Sequence, residues 1–136
     1  MKEFIGKLHF NEKGYIPAII QDTASKKVLT LCYMTKKALE KTLETGKVYV
    51  FRRSLNKLMM KGETSGNIQI VKDVYADCEN NSLLFMVDQK VAACHAGYFT
   101  CYFQKLDKSG QLIISEKKIF EPDKIYTAAK KPLKKG

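Results

Sequence analysis

Polar residues interrupt apolar ones in a roughly two-residue rhythm through Ile68-Gln69-Ile70-Val71-Lys72-Asp73-Val74-Tyr75, the pattern of a half-buried strand. Shorter apolar runs, punctuated by glycines and lysine pairs, recur along most of the chain. Residues 15–21 and 28–34 read as two strands, with Thr23-Ala24-Ser25-Lys26 as the turn between them. Residues 47–52, 82–88, 100–106 and 112–115 read as further strands, and Ser109-Gly110 marks a hairpin turn over 107–110. Only residues 35–46 follow a helical period. There Ala38, Leu39, Thr42 and Leu43 share one face, Thr35 can cap the start, and Gly46 suits a left-handed stop. The pattern predicts a mainly β chain of α+β class with one clear helix and no internal repeat. Residues 1–118 form the expected main domain, and 119–136 a C-terminal extension with a basic, mobile tail.

Composition fits that picture, with 45% hydrophobic and 28% charged residues, as in ordinary globular domains. The net charge of +10 changes it. Lys130, Lys131, Lys134 and Lys135 supply part of the excess from the tail, which reads as a solvated end. The remainder favours an anionic partner, either nucleic acid or a phosphorylated small molecule. No apolar run is long enough to span a bilayer, and the charged residues and His9 within residues 1–10 do not make a secretory signal. The expected location is therefore cytoplasmic. Thiols stay reduced there, so the four cysteines read as packing, metal ligation or catalysis before disulfides.

Three of those cysteines fall in two neighbouring clusters, Asp77-Cys78-Glu79-Asn80-Asn81 and the stretch from Ala93-Cys94-His95 to Cys101. Thiolates are strong zinc ligands, and three protein ligands leave a fourth tetrahedral position for water. Zinc lowers the pKa of such a water from about 15.7 to about 7. His95, beside a ligand, can shuttle protons near neutral pH. Against this stands the reading of the cysteines as small core residues, since the paired Cys-x-x-Cys of zinc fingers is absent. A closed Cys3His site is disfavoured if Cys94-His95 is extended, because adjacent strand side chains face opposite ways. Cys32, distant in the chain, reads as core.

Asp77, Glu79 and Asn81 could present oxygens to Mg2+, although Glu-Asn-Asn-Ser is good turn sequence, and spacing alone favours the turn. The loop Lys61, Gly62, Glu63, Thr64, Ser65, Gly66 and Asn67 follows Arg52, Arg53 and Ser54. It offers backbone N–H groups, hydroxyls and cationic charge to a phosphate, without being a Walker loop. A plain turn between strands is the simpler reading of the loop by itself.

In this order the elements resemble the phosphoribosyl-AMP cyclohydrolase family of histidine biosynthesis. The likeness runs from about Gly14 to Tyr102. It takes in Gly14-Tyr15-Ile16-Pro17-Ala18, Tyr33-Met34, the 61–67 loop with Gln69, Asp77-Cys78, Gln89, and Ala93-Cys94-His95-Ala96-Gly97 with Cys101. The resemblance implies a folded mixed sheet or pseudobarrel in an intertwined homodimer. It also implies zinc held by Cys78 of one subunit and Cys94 and Cys101 of the other, with a second, oxygen-ligated Mg2+ at the acidic cluster. The implied reaction opens the purine ring of phosphoribosyl-AMP between N1 and C6 by attack of zinc-bound hydroxide, with His95 moving protons. The two phosphates of that nucleotide would engage the basic surface and the Lys61 loop.

The chain departs from the family pattern around the substrate rather than at the cysteines. Glu79 and Asn81 stand where two aspartates are usual, and Phe51-Arg52-Arg53-Ser54-Leu55 replaces a Trp-Ser-Arg-Ser-Arg run. Met59 takes a tryptophan position, Ala96 a threonine and Thr100 a serine. Such changes leave room for a divergent relative acting on another purine nucleotide. A zinc-stabilised nucleic-acid-binding module, suggested by charge alone, ranks last. Tyr98, Phe99, Tyr102 and Phe103 could serve it only if exposed, and their alternation suits a core or dimer interface equally well.

Overall fold

The computed structural model describes residues 1–62, 68–89 and 97–118. A short helix, α1 (Lys2–Gly6), precedes strands β1 (Ile16–Asp22) and β2 (Val28–Met34). Helix α2 (Lys36–Thr45) follows, then β3 (Tyr49–Arg52), a single 3-10 turn (Arg53–Leu55) and β4 (Lys57–Met60). Strands β5 (Gln69–Ala76), β6 (Leu83–Gln89), β7 (Gln104–Leu106) and β8 (Leu112–Ile114) complete the order. One four-stranded sheet runs β2-β1-β6-β5, while β3-β4 and β7-β8 are separate two-stranded ribbons. The sheet is mixed, because β1 and β6 are parallel and the other pairs antiparallel. The described strands form an open sheet and ribbons, not the pseudobarrel expected from the resemblance: β2 and β5 remain its two edges.

Alternation sorts the faces. Ile16, Ala18 and Ile20 of β1 and Leu83, Phe85 and Val87 of β6 are almost wholly buried on one side. Leu29 and Met34 of β2, Ala38 and Leu39 of α2, Val48, and Ile5 and Leu8 from the N-terminal segment close over them. Helix α2 has the expected caps. The Thr35 hydroxyl accepts from Ala38 N–H at 3.1 Å, and Gly46 turns left-handed at φ 76° while its N–H bonds the Thr42 carbonyl. Thr42 is buried because its hydroxyl is occupied, donating to the Ala38 carbonyl at 2.8 Å and accepting from Tyr49 N–H at 2.9 Å.

Two elements escape the sequence pattern. Helix α1 is a five-residue turn with one buried side chain, Ile5, too short for a helical period to register. Strand β4, residues Lys57–Met60, has no strict alternation and exists by pairing with β3 across Tyr49↔Met60 to Arg52↔Lys57. The strand expected from Thr100 begins only at Gln104. The Thr100 hydroxyl instead donates to the Val28 carbonyl at 2.7 Å, and Cys101 N–H to the Leu29 carbonyl, also at 2.7 Å. Leu29 sits where β2 carries one residue more than β1, so its carbonyl lies outside that ladder.

Candidate metal centre and nucleotide site

Cys78 is exposed in the turn that follows β5. The turn is built by Asp77, whose Oδ1 accepts from Asn81 N–H at 2.9 Å and from Ser82 N–H at 3.2 Å. These bonds, with Asn81 N–H foremost, hold the Asp77 carboxyl below its ordinary value. Asn80 adopts φ 56°, and its carbonyl accepts from His9 N–H, which ties the turn to the N-terminal segment. The Asn81 amide donates to Glu79 Oε1 at 3.3 Å. The acidic cluster is therefore a hydrogen-bonded turn, not the extended segment that would align Asp77, Glu79 and Asn81 on one side. The turn preference of the Glu-Asn-Asn-Ser stretch governs its backbone.

Cys101 is half-buried against the start of β2. Its surroundings include Cys32, distant in the chain but near in space. Cys32 packs against the core, and burial pushes its thiol up to about 12. The Lys61 ammonium pulls the other way, and the Cys101 sulfur adds to the rise. Cys32 thus stays a protonated thiol at neutral pH, a poor metal ligand, which agrees with its reading as core. Its neighbourhood brings Lys61 and Cys101 to one region. Lys61 reaches that place because its N–H bonds the Val48 carbonyl at 2.8 Å, anchoring the end of β4 to the chain after α2.

Arg52 ends β3 exposed, Ser54 is exposed in the 3-10 turn, and Gly62 takes φ 86° beside Lys61. The backbone of Arg53 opens that turn. Glu63, Thr64, Ser65, Gly66, Cys94 and His95 lie outside the described residues. Among the described residues no group of three His, Cys, Asp or Glu side chains could hold a metal ion.

Topology keeps the two described candidates apart. Cys78 follows β5, at one edge of the sheet, whereas Cys101 hangs on β2, at the other. Cys32, the neighbour of Cys101, is in register through Ala18 and Leu83 with Ala76, so the full width of the sheet separates the two cysteines. Two soft sulfur donors are present, but one chain does not bring them together.

Of the four aromatics between Tyr98 and Phe103, Tyr98 is buried and stacks on Phe103 with centroids 3.9 Å apart. Phe99 packs on the core, and Tyr102 is the exposed one. They do not form the solvent-facing stacking platform a nucleic-acid module requires. No described helix is long and apolar enough to cross a membrane.

Two residues named only through the resemblance gain a position here. Gln69 is fully buried and in register with Gln89, and their side chains are hydrogen-bonded at 2.7 Å. The sequence pattern carries no signal for this, since it sets Gln69 at a polar step between Ile68 and Ile70, whereas the fold turns Gln69 inward.

Comparison with known proteins places these features in a family. The family model for phosphoribosyl-AMP cyclohydrolase matches residues 30–103, more than half the chain. A phosphoribosyl-AMP cyclohydrolase of Pelotomaculum thermopropionicum is 43% identical over 122 residues, covering 90% of this chain and 95% of the relative. One from Desulforapulum autotrophicum is 47% identical, covering 88% of this chain and 98% of the relative. The histidine biosynthesis bifunctional protein HisIE of Thermoanaerobacter pseudethanolicus is 41% identical over 94% of this chain and 59% of its own length. With a family match spanning Cys32 to Cys101 and relatives of this identity aligned over nearly their whole length, the chain belongs to the phosphoribosyl-AMP cyclohydrolase family.

Proposed function

We propose that this enzyme hydrolyses the purine ring of phosphoribosyl-AMP at the N1–C6 bond in histidine biosynthesis, as a zinc-dependent homodimer. The observation that carries the dimeric zinc reading is the separation of Cys78 and Cys101 to opposite edges of one sheet. Cys78 of one protomer would complete the set with Cys94 and Cys101 of its partner, three thiolates being a donor set that suits zinc and leaves one position open. Bound there, the metal supplies Lewis acidity and a water activated at neutral pH.

A surface for the second copy is present. Leu31, Ile19, Leu84 and Tyr75 form one register row across all four strands, on the face opposite the core. Leu31 and Tyr75 are 43% and 53% exposed, and Tyr33 extends the patch beside Pro17. A contiguous apolar sheet face of this kind marks an interaction surface. A second copy is the occupant that would also bring the missing cysteines.

The remaining roles follow the chemistry of the side chains. Lys61, Arg52 and Arg53 offer cationic charge, and Ser54, Thr64 and Ser65 hydroxyls, to the two phosphates, with Gly62 and Gly66 allowing close backbone approach and Glu63 between them. His95 takes or delivers the proton at the opening ring nitrogen. Asp77, Glu79 and Asn81 would be the oxygen donors for Mg2+ only with the turn reopened, and they bring one negative charge fewer than three carboxylates. The altered positions, Phe51, Met59 and Ala96, favour a second reading in which a related purine nucleotide is the substrate.

The test is metal analysis of protein purified without chelator, followed by an assay on phosphoribosyl-AMP. Zinc equimolar with the chain, and ring opening lost to a chelator and restored by Zn2+, are expected. Protein free of zinc would sink the metal reading. Zinc without ring opening, with or without Mg2+, would transfer the assignment to the related nucleotide.

A further inference from the structure

Two chain segments carry the motifs of the site, 63–67 within the Lys61 loop and 90–96 with Cys94 and His95. Their bases meet at one buried amide pair. Gln69 Nε2 donates to Gln89 Oε1 at 2.7 Å, and Gln89 Nε2 donates to the Phe99 carbonyl at 2.8 Å. The second bond joins the residue just before 90–96 to one just after it, two positions from Cys101. On the other side, the Gln69 carbonyl accepts from Val48 N–H at 3.2 Å, and the Val48 carbonyl accepts from Lys61 N–H at 2.8 Å. A continuous set of hydrogen bonds therefore runs from Lys61 through Val48, Gln69 and Gln89 to Phe99.

We infer that Gln69 and Gln89 are positioning residues, which hold Lys61 and the Phe99–Cys101 turn in fixed relation to each other. The pair is poorly explained by stability alone. Gln69 is wholly enclosed, yet its Oε1 meets no donor among the described residues. Two apolar side chains of the same size would remove that acceptor but take the donor from the Phe99 carbonyl, so what the amides supply is directional bonding. Those bonds fix the carbonyl of Phe99 and, next to it, the Thr100 hydroxyl and Cys101 N–H, both tied to β2.

This inference rests on the proposed cyclohydrolase reading for its catalytic consequence but not for its structural one, and the two are separately measurable. Gln69→Met with Gln89→Met removes both polar groups at nearly constant volume. Gln89→Glu keeps an acceptor for Gln69 but sets a carboxylate oxygen against the Phe99 carbonyl. Amide hydrogen exchange, read on peptides covering 57–62 and 97–103, should rise at least tenfold in both variants, with β1 unchanged as internal reference. The thermal midpoint of the double variant should stay near wild type while kcat on phosphoribosyl-AMP falls about tenfold or more and KM moves much less. Unchanged exchange at both bases would overturn the inference, whatever the activity. Raised exchange with unchanged kcat would overturn its catalytic part. If the double variant does not fold, Gln89→Glu decides by the same exchange readout. A wild-type protein inactive on phosphoribosyl-AMP would count against the substrate assignment and leave the exchange result to judge the amide pair.

Discussion

If each zinc site draws Cys78 from one protomer and Cys101 from the other, defects in the two cysteines must complement when placed on different chains. The geometry sets how firmly the alternative is excluded. Three strand intervals of about 4.8 Å separate β2 from β5 by about 14 Å, and the step from Leu29 to Cys32 adds about 10 Å along the strand. Leu29 and Ala76 are thus about 17 Å apart on the diagonal. Cys101 hangs on Leu29 outside the β1 ladder, and Cys78 continues beyond Ala76. Two sulfurs on one zinc, each bonded at about 2.3 Å, can be no more than about 4.6 Å apart. No side-chain rotation closes that gap within one chain.

The assay uses two differently tagged copies, co-expressed and purified through both tags so that only heterodimers remain. With Cys78→Ser on one chain and Cys101→Ser on the other, one site keeps every cysteine and the other loses two. Turnover should be about half that of wild type, by the symmetry of a twofold dimer. With both substitutions on one chain opposite a wild-type partner, each site lacks one cysteine and turnover should vanish. A site contained in one chain gives the reverse: nothing from the first pairing and half from the second. That reversal would refute the shared site, and the sheet would then have to rearrange to bring Cys78 to Cys101.

Other consequences are simpler to measure. Cys32 should resist alkylation at neutral pH while exposed Cys78 reacts, and any stability owed to its thiol form is full below pH 9 and lost as pH rises towards about 12. Cys32→Ala should cost about 1 kcal/mol in urea unfolding through lost packing, with zinc content unchanged. Asp77→Asn should destabilise the wild-type turn at pH 7. The difference should disappear as pH falls through the lowered Asp77 value, because the carboxylate's bonds are present only above it. Thr35→Ala, read by thermal or urea unfolding, should cost about 1 kcal/mol for the lost bond to Ala38 N–H. Phe85→Ala should cost about 3–5 kcal/mol, since the ring is fully buried at the centre of the sheet.

The elements most legible in the sequence were those whose stability is local. Helix α2 carries its caps and its apolar face within twelve residues, so Thr35 and Gly46 could be identified before the fold was known. Strand β5 was legible from its alternation, and β1, β2 and β6 from short apolar runs bounded by turn residues. What the pattern could not carry was the order β2-β1-β6-β5, in which the parallel β1–β6 pair joins segments more than sixty residues apart. Nor could it find β4, whose residues Lys57–Met60 become a strand only because β3 lies beside them.

The candidate site failed to be legible for a different reason. Sequence spacing separates Cys78 from Cys94 and Cys101 by a single hairpin's length, which suggests neighbours in one chain unless the family resemblance is invoked. The register of β5 on β6 and the bond from Cys101 to Leu29 move them instead to opposite edges of the sheet. Between those edges runs the row Leu31, Ile19, Leu84 and Tyr75, apolar and open on the outer face. The same strand alternation that buries Phe85 inside must point Leu84 outwards, so the apolar outer row is intelligible only if that face is covered in turn. The separation of Cys78 from Cys101 and the open apolar face therefore both favour the proposed dimer, in which a second copy would cover the outer sheet face and complete the metal site.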